Sequence, residues 1–108
     1  MISIATNSPG RFAGLTLKAW AVIDGAGALV RGFNVTSTSC GTSNYTVTHT
    51  TALSTLYPIM DIGVNSIGGA GQISVQYSLR SLTAPIFQIL VNGVASQLNA
   101  NFYIAFYE

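Results

Sequence analysis

Charge is what this 108-residue chain has least of: four Lys and Arg, three Asp and Glu and one His, giving 6% charged residues and a net charge of +1. A soluble domain typically carries about 25%. Four cations make no basic surface able to neutralise a row of phosphates, so nucleic acid is not an expected partner. The acids are Asp24, Asp61 and Glu108, too few and too scattered to suggest paired-carboxylate chemistry. Cysteine occurs once, as Cys40, so any disulfide would have to join two chains. No apolar run approaches the roughly 18–20 residues a membrane helix needs. The first ten residues also lack the charged and apolar regions of a secretion signal. The expectation is a chain made in the cytoplasm with no membrane insertion.

Neutral polar groups replace the missing charge. The chain holds 11 Ser, 11 Thr, 7 Asn, 4 Gln and 11 Gly beside 49% hydrophobic residues. Net charge near zero removes the repulsion that keeps proteins apart, so this composition predicts a component of an assembly. The length allows one domain.

Hydrophobic periodicity is two almost throughout, the spacing of strands with one buried face. In Gln72–Arg80, Ile73, Val75, Tyr77 and Leu79 share one side and Gln72, Ser74, Gln76 and Ser78 the other. In Tyr45–Thr50, threonines alternate with Tyr45, Val47 and His49. Further strands are expected over Leu15–Ile23, Leu29–Val35, Leu56–Val64, Ile86–Val91 and Phe102–Tyr107. Turn chemistry separates them: Asp24-Gly25-Ala26-Gly27 as a hairpin, Ser37–Asn44 and Asn65–Gly71 as loops, and Asn92-Gly93 as a two-residue turn. The predicted fold is all-β, an antiparallel β-sandwich or jelly roll of about seven strands over residues 15–108, preceded by a short N-terminal arm, residues 1–14.

Chemistry-bearing constellations are weak. Cys40 and His49 could form a thiol–base pair, but the Ser-Cys-Gly context matches no catalytic signature, and a lone His on an apolar-facing strand position is more often a packing residue. Asp61, inside an apolar run, belongs either on a wet face or beside Arg31 or Arg80. One His, one Cys and separated acids make no metal shell within one chain, leaving only His49 on a threefold axis as a route to a shared ion. No Gly-rich stretch has phosphate-cradle spacing. No catalytic residue, metal site or cofactor is therefore expected.

The stretch from Lys18-Ala19-Trp20 through Asp24-Gly25-Ala26-Gly27, Arg31, Phe33-Asn34-Val35-Thr36 and on to Tyr45-Thr46-Val47 resembles a motif of small β domains in tailed-bacteriophage virion proteins, often tail-fibre proteins. The closing Phe102–Tyr107 resembles that family's terminal strand. Departures occur at Ala21-Val22-Ile23, Gly32 and Thr50–Leu53. The resemblance implies a virion structural protein, usually trimeric, with no catalytic residues. Trp20 is expected in the core and Asp24–Gly27 in the hairpin.

Two functions compete. One is a homotrimeric tail-fibre or receptor-binding knob whose loops, including Ser43, Asn44, Asn65 and Ser66, face a host cell-surface glycan. The other is a capsid decoration, or cement, protein bound to the phage head. An adhesion module unrelated to phage is the third reading. In the tail-fibre role Cys40, on an exposed loop, could tether the fibre to another virion protein by an intermolecular disulfide. The last strand is aromatic on both faces, so one of its rows, drawn from Phe102, Tyr103, Phe106 and Tyr107, is expected to meet a neighbouring subunit.

Overall fold

The computed structural model describes residues 14–41, 43–64, 73–98 and 101–108. Nearly all of the expected N-terminal arm and the Asn65–Gly71 loop lie outside these residues. The described part is all-β, with nine strands and no helix among the described residues. Four strands, β1 (Leu17–Ile23), β2 (Leu29–Phe33), β5 (Ile59–Val64) and β9 (Phe102–Tyr107), form one sheet in the order β2-β1-β9-β5. The other sheet runs β3 (Val35–Cys40), β4 (Asn44–His49), β7 (Ile86–Val91) and β6 (Ile73–Leu79), with β8 (Val94–Ala95) pairing β7. All strand pairs are antiparallel. We call these sheets A and B.

The two sheets pack face to face over a core drawn from both. Ala19, Ala21, Ile23, Phe102, Ile104 and Phe106 come from sheet A, and Tyr45, Val47, Phe87 and Ile89 from sheet B. Small residues on β1 leave room for the aromatic ones opposite. Tyr45 meets Phe102 edge-on at 5.0 Å and stacks on Phe87 at 6.0 Å. Each fully buried aromatic side chain of this kind contributes roughly 2–3 kcal/mol.

Two turns follow their sequence chemistry directly. Asp24 Oδ1 accepts the amides of Ala26 (3.0 Å) and Ala28 (2.9 Å), closing the β1–β2 hairpin. Asn92 and Gly93 have φ of 53° and 81°, the pair of positive values that a two-residue β7–β8 turn requires.

The expected Leu29–Val35 strand is cut in two, because Asn34 sits at φ 55° and turns the chain from sheet A into sheet B. Its side chain secures the switch. Nδ2 donates to the carbonyls of Lys18 (3.1 Å) and Thr51 (3.0 Å), and Oδ1 accepts the Thr51 amide at 2.6 Å. Half of the expected Ser37–Asn44 loop is consequently strand β3, and Gly41 N–H donates to the Asn44 carbonyl at 3.0 Å. The alternation expected through Leu79 also ends early. A β-bulge between Tyr77 and Leu79 sets Leu79 opposite Ile86 and leaves it exposed.

Candidate functional site

The sandwich has two unlike ends. At one, Gly14 leads into β1, and Thr16 and Glu108 exchange backbone hydrogen bonds of 2.9 and 3.0 Å. The Glu108 carboxylate also accepts the amides of Ser54 (3.0 Å to each oxygen) and Thr55 (3.1 Å). Its burial favours the neutral acid, but these amides and Lys18 outweigh that and hold the carboxyl below its ordinary value. At the far end, Ile23, Phe102 and Val64 lie side by side, so the β1–β2 turn and the Val64 end of β5 share that end. The β3–β4 and β7–β8 turns lie there too.

The far end is tightly tied. Gly27, at φ 99°, lies against the backbone of Ser39 and Cys40, where a Cβ would overlap the Cys40 amide. Thr38 Oγ1 donates to the Gly27 carbonyl at 2.7 Å. Tyr45, fully buried, donates its hydroxyl hydrogen to the Gly25 carbonyl (2.9 Å) and accepts the Leu98 amide (3.0 Å). Burial dominates its titration and pushes the phenol up to about 12.

The outer faces differ as sharply as the ends. Sheet B presents Ser37 and Ser39, Asn44, Thr46 and Thr48, Gln88, and Ser74, Gln76 and Ser78, neutral hydroxyls and amides around Ile86 and Leu90. Gln76 donates to Gln88 at 2.9 Å and Ser78 to Asn44 at 3.1 Å. Sheet A presents three cross-strand rows. Arg31, Val22, Tyr103 and Gly63 form one, Phe33, Trp20, Ala105 and Asp61 the next, and Leu17, Tyr107 and Ile59 meet at the chain-entry end. Phe33 is 54% exposed, Ile59 47% and Tyr103 43%. Arg31 lies over the Trp20 ring at 5.5 Å.

Several expectations need correction against this geometry. Trp20 is on the outer face and half-buried, because alternation on β1 sends Ala19, Ala21 and Ile23 inward. Phe102 and Phe106 are buried in the chain's own core, so they have no surface left for a neighbour. Of the two aromatic rows only that of Tyr103 and Tyr107 turns outward, and Tyr107 is itself buried. Cys40 ends strand β3 instead of sitting on an open loop, and is half-buried with its thiol donating to the Gly41 carbonyl at 2.8 Å. Burial pushes that thiol above its ordinary value, against a weaker pull from Tyr45.

Ser43 is half-buried in the β3–β4 turn, whereas Asn44 belongs to the hydroxyl and amide face of sheet B. Asn65 and Ser66 lie outside the described residues. His49 is buried edge-on to Phe106 at 4.9 Å, with neither ring nitrogen hydrogen-bonded, so it cannot reach a threefold axis. Burial pushes its imidazole below the ordinary value, opposed by the Asn34 backbone and the Glu108 carboxylate. It lies four positions along β4 from Tyr45, the partner of Cys40, about 13 Å away along the strand, so thiol and imidazole are not brought together. Asp61 is on the wet face, at the opposite edge of sheet A from Arg31.

Composition did not point to Phe33, Ile59 and Trp20 as a shared surface. The signal was present in Lys18-Ala19-Trp20-Ala21, where small and large residues alternate and the small ones take the inner side. Among the described residues there is no cluster of metal-ligating side chains and no enclosed pocket. No family model matches the chain, and the comparisons with curated proteins and with solved structures likewise returned no match.

Proposed function

We propose that the chain is a structural protein of a tailed-bacteriophage virion, a homotrimeric tail-fibre or receptor-binding knob that contacts the host surface. The observation that carries this reading is the polarity of the sandwich. Gly14 and Glu108 lie at one end, and the β1–β2, β3–β4 and β7–β8 turns and the Val64 end of β5 at the other. A knob held at the Gly14 and Glu108 end presents those turns outward. The tied geometry of Gly27, Cys40 and Tyr45 gives a contact surface that loses little entropy on binding. Hydroxyls and amides around Asn44 are the donors and acceptors a neutral glycan takes. The resemblance of Lys18–Thr36 and Tyr45–Val47 to virion β domains points the same way. These residues supply the β1–β2 hairpin, the Asn34 switch and the buried tyrosine.

Gold-labelled antibody against the protein, imaged on intact particles, tests the reading. Label at the tail tip, with purified protein binding host envelope polysaccharide, is the expected result. Label spread over the head, at hundreds of copies per particle, would replace it with the cement function.

A further inference from the structure

We infer that the outer face of sheet A is the surface on which copies of this chain assemble, with Arg31 of one copy meeting Asp61 of the next. The inference rests on the assembly reading above and names its interface.

Sheet A's outer face is apolar at its centre, with Val22, Trp20, Ala105 and Tyr103, and it carries Phe33 and Ile59 exposed at its edges. Large exposed apolar patches on a small domain mark interaction sites. The charges on it are sorted by side. Arg31 stands on β2, and Asp61 on β5 at the opposite edge. Asp61 is half-buried, and no ion pair joins it to another described residue. A chain with only seven charged side chains has placed two of opposite sign on this one face.

That sorting selects the occupant and its direction. Copies whose strands run parallel around a common axis bring the β2 edge of each beside the β5 edge of the next, cation to anion, at every contact of a closed ring. Copies packed with strands antiparallel across the face would set β2 over β2 and Arg31 near Arg31. The parallel arrangement also keeps all the far-end turns at one end of the assembly. Arg31 and Asp61 are one cross-strand row apart, about 7 Å along the strand, a distance the arginine side chain spans.

The test is a charge swap on the full chain: Arg31→Asp, Asp61→Arg and the double variant, with assembly followed by sedimentation equilibrium and by acrylamide quenching of Trp20, the single tryptophan. Each single variant is expected to weaken assembly about tenfold or more and to open Trp20 to quencher, and the double variant to recover both. Phe33→Ser, at an exposed position, is expected to weaken assembly while keeping the parent's β-sheet circular dichroism, which covers the case of a double variant that folds poorly. Variants that all assemble like the parent would overturn this interface and leave the assembly reading standing. A parent chain that is monomeric would overturn both.

Discussion

The ring of Tyr103 lies across Gly63, its cross-strand partner, so closely that a Cβ on Gly63 would overlap the ring. The glycine exposes strand backbone and the tyrosine covers it, a cross-strand pairing that compensates for a missing side chain. Gly63→Ala must push the ring aside, and Tyr103, 43% exposed, is free to turn. Alanine also gains up to about 1 kcal/mol of strand preference over glycine. Thermal unfolding of Gly63→Ala should stay within about 1 kcal/mol of the parent, while sedimentation should show weaker assembly because the outer face has been reshaped.

Asn34 carries both a left-handed backbone and three side-chain hydrogen bonds that tie the β2–β3 junction to β1 and to the segment after β4. Asn34→Ala should cost about 2–4 kcal/mol in urea unfolding, combining roughly 1–2 kcal/mol for the backbone with the lost bonds. Asn34→Gly relieves the backbone alone, so it should fall between the two.

His49 sets an acid limit on stability. Its folded-state pKa lies below the ordinary 6.5, so the unfolded chain takes up the proton first as pH falls. Stability is full above pH 6.5, is lost as pH drops from there toward the folded value, and then levels off. His49→Phe should flatten this stretch of the urea-midpoint profile while keeping the packing on Phe106. A second loss is expected below pH 4.5 as the Glu108 carboxylate, held low in the fold, is protonated.

Cys40 should be a slow thiol. Half-buried, hydrogen-bonded to Gly41 and with its pKa raised by burial, it is expected to react with a disulfide reagent more slowly than an unstructured cysteine peptide at pH 7.5. Non-reducing gels of freshly purified protein should show a single chain. A dominant disulfide-linked dimer would mean the β3–β4 turn opens readily.

Period-two alternation in Tyr45–Thr50 and Gln72–Arg80 was enough to read an all-β fold, because strand faces are fixed by side-chain spacing alone. Asp24–Gly27 and Asn92-Gly93 were equally legible, since their turns need those residue types. The sheet switch at Asn34 was not. Leu29–Val35 alternates smoothly across it, and only a tertiary anchor to Lys18 and Thr51 distinguishes a kinked asparagine from an extended one. Leu79 was misplaced by a bulge, which shifts every later side chain without changing composition. The candidate surface was half legible. An aromatic face was foreseen on the last strand, but the side of Phe102 and Phe106 was consumed by the core, and Phe33 and Ile59 join Tyr103 only once β2-β1-β9-β5 are in order.

Copies meeting through sheet A, as proposed, complete a fold this poor in charge. Sedimentation velocity of the purified chain across micromolar concentrations tests this most directly. A species of three times the 11.3 kDa chain mass is predicted, falling toward a single chain in Arg31→Asp. A single 11.3 kDa species at every concentration would contradict the account.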